Sequence, residues 1–157
     1  MGVDPGYERV GIAIVEKENG KEHVVFSECF KTSAKLPFPE RLAEISSEIE
    51  KVIGEYKPEA LSIETLIFNT NQKTAIMVAQ ARGAIMAASV GEGLIVHEYS
   101  PLQIKVAITG YGRADKKQMI NMVGKLVSMP SSKRQDDEYD AIAAALTCIA
   151  SVKIVGN

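Results

Sequence analysis

The chain has 157 residues, of which 46% are hydrophobic and 24% are charged, and its formal net charge is −2. This size and balance are typical of one globular domain with a full core, so we expect residues 1–157 to form a single domain. The sequence contains no run of about 18 uninterrupted apolar residues, and no basic segment leads into an apolar one at its start, so we expect neither a membrane span nor a signal peptide.

The order of apolar patterns along the chain predicts an α/β domain. The turn Asp4-Pro5-Gly6 ends a short first strand, because proline lacks the donor that a strand needs, and Asn19-Gly20 predicts a hairpin. In chain order the predicted elements are strands from Val3 and at 10–15 and 24–30, a helix from about 37 to 56, a strand at 60–63, a helix at 72–90, a strand at 94–97, and helices at 101–108, 114–127 and 137–152. Because the later strands return through helices, we expect a mixed five-stranded sheet flanked by helices.

The predicted helix at 72–90 is apolar nearly all round and rich in small residues, among them Ala75, Ala79 and Gly83. A helix that is apolar on every side has to be covered on every side. In a domain of this size a second copy of the chain is a natural cover, so this helix favours a homodimer.

Charge is distributed unevenly along the sequence. Seven basic residues lie between Tyr99 and Gln135, with Asp115 as the single acid among them, while acidic residues gather at 40–59 and 136–140. A basic surface beside a compact acidic site suits an enzyme that cleaves nucleic acid, because one part holds the polyanion and the other holds a cation. Solvated helix faces would give the same skew, so the charge pattern supports this interpretation without deciding it.

The two cysteines, Cys29 and Cys148, lie far apart in apolar stretches. This arrangement predicts buried free thiols and neither a disulfide framework nor a thiolate metal site. Free thiols are typical of a reducing compartment, so we expect the protein in the cytoplasm.

Four carboxylates stand where predicted elements end or begin. Asp4 and Glu64 each follow a strand, and a charge at the end of a buried strand is costly unless it is paired or bound to a cation. Asp137 and Asp140 are three residues apart and share one face of the last helix. Asp is also common in turns, and acids suit a helix N-terminus, so each acid alone has a structural explanation. Together the four predict one acidic site where strand ends and a helix N-terminus meet.

Carboxylate oxygens are hard ligands that suit Mg²⁺ or Mn²⁺. Two such ions about 4 Å apart can activate a water and stabilise the leaving oxygen of a phosphodiester. Acids packed so closely would otherwise repel one another and raise their own pKa values. We therefore expect two Mg²⁺ ions per site, with Mn²⁺ able to substitute, and Asp4 on the central strand as the ligand that both share.

The chain resembles the RuvC family of Holliday junction resolvases in four segments: Gly2-Val3-Asp4-Pro5-Gly6, Ile63-Glu64, Gln80-Ala81-Arg82-Gly83 and residues 135–141. Their order and spacing agree with the family over essentially the whole chain. The resemblance implies an RNase H-like fold and a homodimeric endonuclease that nicks opposed strands of a four-way junction symmetrically. It further implies 5′-phosphate ends, a role in recombination and repair, and a branch-migration complex of the RuvA and RuvB type as a partner.

The resemblance also implies roles for individual residues. The residues that look like the family's catalytic, metal-binding carboxylates are Asp4, Glu64, Asp137 and Asp140. Lys105 and Lys116 look like its two lysines beside the scissile backbone. If so, Glu64 and Asp140 complete one side of the metal pair and Asp137 the other.

The loop after Glu64 resembles the family's segment that inserts an aromatic residue at the junction centre. Here the sequence departs from the family, because Ile67 occupies the usual aromatic position and Phe68 follows it. Either residue is a candidate for the contact with the junction. Arg113 and Lys117 are further candidates for phosphate contacts.

Other interpretations remain open. A different RNase H-like nuclease, acting on RNA or on other branched DNA, would carry the same acids. An actin-like ATPase also begins a phosphate loop with Asp and Gly after a strand, but it needs two such domains around the nucleotide. A non-catalytic junction-binding module would lack at least one carboxylate, and all four are present. The junction resolvase is the interpretation that we favour.

Overall fold

The computed structural model of the chain describes residues 1–66, 72–131 and 133–152. Its elements in chain order are β1 (Gly2–Asp4), β2 (Arg9–Glu18), β3 (Lys21–Lys31), α1 (Phe38–Tyr56), β4 (Ala60–Glu64), α2 (Gln72–Gly91), β5 (Ile95–Tyr99), α3 (Pro101–Thr109), α4 (Lys116–Leu126), β6 (Val127–Ser128) and α5 (Asp136–Ser151). The prediction of an α/β fold with helices around a mixed sheet is confirmed.

The strands form one sheet in the order β5-β4-β1-β2-β3-β6. β2 is antiparallel to both of its neighbours, β1 and β3, whereas β4 is parallel to β1 and β5 is parallel to β4. The prediction of five strands is wrong by one, because the two residues of β6 pair with Glu22 and His23 of β3. Two residues are too few to show alternation, so only pairing with a distant strand reveals them.

Helices cover both faces of the sheet and divide the core in two. On one face α1 and α2 pack over alternate strand residues such as Val3, Ile12 and Ile63. On the other face α3, α4 and α5 pack over residues such as Ala13. Because side chains alternate along a strand, every second residue of β1, β2 and β4 faces α5.

Helix α2 is apolar on several sides but only partly covered within one chain. Ala81, Ile85 and Ser89 are buried, while Ile76 and Val90 are 57% and 58% exposed. Among the residues that the structure describes, the stretch Thr74–Gly91 has the length and composition of a membrane span. This is weak evidence for a membrane, because helices that are buried in soluble proteins satisfy the same criterion.

Candidate active site

Two neighbouring parallel strands each end in an acid. β1 and β4 are paired with Gly2 opposite Ser62 and Val3 opposite Ile63, and the next residue in each strand is Asp4 or Glu64. Val3 and Ile63 are fully buried in the core formed with α1 and α2. By the alternation of a strand, Asp4 and Glu64 therefore face the opposite side, where α5 lies.

Helix α5 lies directly on the backbone of the sheet because small residues stand beneath it. A Cβ atom added to Gly11 would be 2.0 Å from the carbonyl oxygen of Asp137, and one added to Gly2 would be 2.1 Å from that of Ala141. Ser62 Oγ also donates a 2.6 Å hydrogen bond to the carbonyl of Ala144. This close approach carries the first turns of α5, with Asp137 and Asp140, to the end of β1.

The four acids lie within electrostatic reach of one another. Burial, together with the charges of Asp140, Glu64 and Asp137, raises the pKa of Asp4 from 3.8 to about 7. Burial and the charge of Asp140 raise the pKa of Glu64. Burial also raises the pKa of Asp140, although Lys116 opposes that shift. The charges of all three other acids therefore act on Asp4.

Basic side chains offset part of this negative charge. Lys116, the first residue of α4, forms an ion pair with Asp140. Arg9 Nη2 lies 3.6 Å from Asp137 Oδ1. The charge of Lys105 opposes the rise in the pKa of Glu64. The lysines were anticipated from sequence, whereas Arg9 was not, since an exposed arginine at the start of a strand carries no signal of its own.

The donor set fits a divalent cation. In the described ranges no three His, Cys, Asp or Glu side chains stand close enough together to form a ready-made ion site. Two of the acids are engaged by Lys116 and Arg9, which gives a physical reason for that spacing. Carboxylate oxygens are nevertheless the ligands that Mg²⁺ and Mn²⁺ prefer. A cation would offset both the burial and the repulsion that raise the pKa of Asp4.

Two arginines hold the strand ends that carry the site. Arg82 on α2 donates from Nε to the backbone carbonyl of Glu64 at 2.9 Å and forms an ion pair with Glu98. Arg41 is buried and donates from Nη2 to the carbonyl of Tyr7 at 3.0 Å, which secures the turn after Asp4. Sequence reasoning gave neither arginine a role, although the segment around Arg82 was among those that resemble the family.

The remaining predicted binding residues differ in their surroundings. Arg113 and Lys117 are exposed, and Lys105 is half-buried. Ile67 and Phe68 lie outside the described residues.

Both cysteines are free, as expected, but they are only partly buried, so the prediction of buried thiols is wrong in that respect. Cys29 contacts the acidic site, because its Sγ donates to Asp137 Oδ2 at 3.6 Å. It therefore lies beside a carboxylate as well as in an apolar stretch, and the sequence pattern does not reveal that neighbour.

The cavity at the other end of β1 has no part in this chemistry. It measures about 620 Å³ and is lined by Met1, Tyr56 and Cys148, among others. Met1 precedes β1 and Asp4 ends it, so the cavity and the acids lie at opposite ends of the strand. The acids instead lie beside exposed cations, an arrangement that suits an extended polyanion better than an enclosed small molecule.

Carboxylates gathered at one sheet edge beside exposed lysines are the arrangement expected of an enzyme that hydrolyses phosphodiester bonds. Residues 1–148 match the family model described as crossover junction endodeoxyribonuclease RuvC. The chain therefore belongs to the RuvC family of endodeoxyribonucleases. This assignment confirms the resemblance in the four sequence segments.

Individual relatives agree with the family assignment. The crossover junction endodeoxyribonuclease RuvC of Desulfitobacterium hafniense is 42% identical over 157 residues, which cover 100% of this chain and 95% of the relative. That of Alkaliphilus metalliredigens is 44% identical over 147 residues, covering 93% of this chain and 89% of the relative. The structure of T. thermophilus RuvC in complex with a Holliday junction substrate matches with a TM-score of 0.87 and 32% identity, covering 94% of this chain and 90% of that one. The similarity in fold and the similarity in sequence therefore both support membership of the RuvC family.

Proposed function

We propose that this endonuclease resolves Holliday junctions by metal-dependent hydrolysis at the site formed by Asp4, Glu64, Asp137 and Asp140. The observation that carries the proposal is geometric: Asp4 and Glu64 end two paired parallel strands, and α5 lies against the sheet so closely that its first turns bring Asp137 and Asp140 to the same edge. Burial, together with the charges of the other three acids, raises the pKa of Asp4, in agreement with this arrangement. Carboxylates packed together in this way raise the free energy of the folded protein unless a cation offsets their charge. Such groups are typical of functional sites. The T. thermophilus relative, whose structure contains a Holliday junction substrate, supports four-way junction DNA as the substrate here.

The four carboxylates would hold two Mg²⁺ ions, with Mn²⁺ able to replace them. When bound, these ions supply a nucleophile from water and charge stabilisation for the leaving oxygen. Asp4 is coupled to the other three acids and is thus the candidate for the ligand that both ions share. Arg82 and Arg41 act indirectly, because they fix the strand end and the turn on either side of the carboxylates.

Lys116 and Lys105 would face the scissile phosphate. The charges of both lysines oppose the rise in the pKa of Glu64, so both lie within electrostatic reach of the acids. A positive charge fixed at that point offsets the negative charge that grows on the phosphate during hydrolysis. The exposed Arg113 and Lys117 would contact phosphates farther along the arms, and Ile67 or Phe68 would contact the junction centre.

A homodimer would present two such sites to the two-fold symmetric junction. The exposed apolar residues Ile76 and Val90 of α2 supply a surface for that contact. The products would be symmetric nicks with 5′-phosphate ends, formed during recombination and repair in the bacterial cytoplasm. A branch-migration complex of the RuvA and RuvB type would deliver the junction.

Strand nicking of a synthetic mobile four-way junction tests this function. The junction and a linear duplex of the same sequence are incubated with the protein in Mg²⁺ and in EDTA. Paired, symmetric nicks on the junction alone, and only with Mg²⁺, are the expected result. If the junction survives while an RNA–DNA hybrid or a flap is cut, the substrate proposal fails and the acidic site stands.

A further inference from the structure

Glu138 is a buried carboxylate next to the acidic site, and both of its oxygens accept hydrogen bonds from residues outside that site. Glu138 follows Asp137 on α5 and is 8% exposed. Its Oε1 accepts a 2.9 Å hydrogen bond from the backbone N–H of Gln135, the N-cap residue of the helix. Its Oε2 accepts a 2.8 Å hydrogen bond from Ser27 Oγ on β3. A buried carboxylate is expensive unless its oxygens are satisfied, so these two bonds hold it firmly in place.

The Ser27 hydroxyl is itself fixed from a second direction. Arg134 Nε donates to Ser27 Oγ at 3.0 Å, and Arg134 Nη1 donates to the carbonyl of Pro130 at 2.9 Å. The hydroxyl therefore accepts from Arg134 and donates to Glu138. This chain of hydrogen bonds ties the segment before α5, and its first turn, to β3.

Two residues on one face of β3 hold two consecutive acids of α5. Ser27 bonds to Glu138, and Cys29, two residues along the strand, contacts Asp137. Successive helix residues are about 100° apart around the axis, so fixing two of them fixes the rotation of the first turn. That rotation decides whether Asp137 and Asp140 point toward Asp4.

We propose that Glu138, held by Ser27, is the positioning residue for the helical half of the acidic site. This inference rests on the proposed function, since it assigns Glu138 the task of orienting Asp137 and Asp140 toward a divalent cation. Glu138 also caps the helix, because it is the third residue of α5 and accepts from the backbone N–H of the N-cap residue Gln135. Its loss frees the first turn of α5 while the helix body stays packed through Gly2 and Ser62.

The experiment compares Glu138→Ala, Glu138→Gln and Ser27→Ala with wild type, and uses Glu50→Ala on the exposed side of α1 as the matched control. Mg²⁺ affinity is measured by calorimetry, and junction nicking is measured against Mg²⁺ concentration. We expect Glu138→Ala to weaken Mg²⁺ binding by about tenfold, in line with other residues that orient metal ligands, and nicking to recover at high Mg²⁺. In Glu138→Gln the amide oxygen can accept from the backbone N–H of Gln135, and the amide nitrogen can donate to Ser27 Oγ. This variant should therefore remain near wild type.

Urea denaturation in EDTA measures the stability of each variant, and Mg²⁺ affinity is measured under conditions where each variant is folded. A loss of Mg²⁺ affinity in a protein that is already folded separates positioning from a merely structural role, because Mg²⁺ stabilises any folded state that binds it. Unchanged Mg²⁺ affinity in a folded Glu138→Ala variant overturns the proposal. Should that variant fail to fold, Ser27→Ala decides in the same way, because it keeps the cap and removes only the anchor to β3. A wild-type protein that neither binds Mg²⁺ nor nicks the junction would instead refute the proposed function.

Discussion

Lys116 at the start of α4 forms an ion pair with Asp140 in α5. The two helices meet at this pair, on the side of the sheet where Asp4 and Glu64 emerge. A fixed ammonium group thus lies within the acidic site itself, where it offsets part of the negative charge and opposes the rise in the pKa of Asp140. In the proposed function the same group would offset negative charge on a phosphate.

Replacing Lys116 by Gln should slow nicking far more than it weakens binding. Loss of one preorganised charge at a reacting phosphate typically costs on the order of 10²-fold in rate. Single-turnover nicking at saturating protein measures the rate, and a binding titration in Ca²⁺ measures junction affinity. The comparison variant is Lys117→Gln, the next residue, for which we expect weaker binding and a smaller salt dependence with the saturated rate intact. Equal rate losses in both variants would contradict the assignment.

Asp4→Asn should stabilise the protein in EDTA while abolishing nicking. The amide removes a buried charge that three neighbouring carboxylates disfavour, so the free energy of unfolding at pH 8 should rise on the order of 2 kcal/mol. Urea denaturation in EDTA measures the gain. Junction binding should persist, because the phosphate-binding cations are untouched. A loss of stability in this variant would mean that Asp4 serves the fold and is not a strained ligand.

The stability of the metal-free protein should depend on pH in a direction set by Asp4. Its pKa is raised on folding from 3.8 to about 7, so the folded state binds more protons between these values. The contribution of Asp4 to the free energy of unfolding is therefore fully present below about pH 4 and is lost as the pH rises through 7. The Met1 amino group acts oppositely between pH 6 and 8, because burial lowers its pKa from 8.0 to about 6.

Comparing wild type with Asp4→Asn at each pH isolates the carboxylate, since both proteins carry the same amino terminus. The stability advantage of Asp4→Asn in EDTA should grow from pH 4 to pH 7 and should be clearly larger at pH 8 than at pH 5. Added Mg²⁺ should shrink it at pH 8. An advantage that stays constant over this range would show that the pKa of Asp4 is not raised.

Gly11→Ala should disturb the site through packing alone. The new methyl group would overlap the carbonyl of Asp137, so α5 must move away from the sheet, at a cost of roughly 1–3 kcal/mol. Nicking should fall with the displacement of Asp137, which Mg²⁺-dependent nicking and urea denaturation can follow together. Gly124→Ala in α4 is the control, since a Cβ there meets nothing within 4 Å and should be neutral or stabilising.

Much of this architecture follows from local patterns in the sequence. Helix α1 ends at Tyr56 as predicted, because Pro58 follows it, and β4 differs from its predicted range only by including Glu64. The convergence of Asp4 and Glu64 could be predicted because parallel neighbouring strands end at the same edge. Alternation then determines the face on which both acids lie.

The contacts around the acids could not be predicted in the same way. Arg9 and Cys29 reach Asp137, and Arg82 reaches the carbonyl of Glu64, only because distant segments are brought together. The role of Gly11 beneath α5 could not be predicted from the sequence either, because a glycine in a strand has several local explanations. The packing of α5 determines the contacts of Arg9, Cys29 and Gly11, and the packing of α2 determines that of Arg82. No local pattern in the sequence specifies how closely either helix approaches the sheet.

The acids come from the first strand, a middle strand and the last helix of the chain. Half of the group, Asp137 and Asp140, is therefore the last part to leave the ribosome during synthesis. A nascent, truncated or partly unfolded copy carries Asp4 and Glu64 without the rest of the site. The order of the elements thus means that the acidic group is complete only once the last helix has packed onto the sheet.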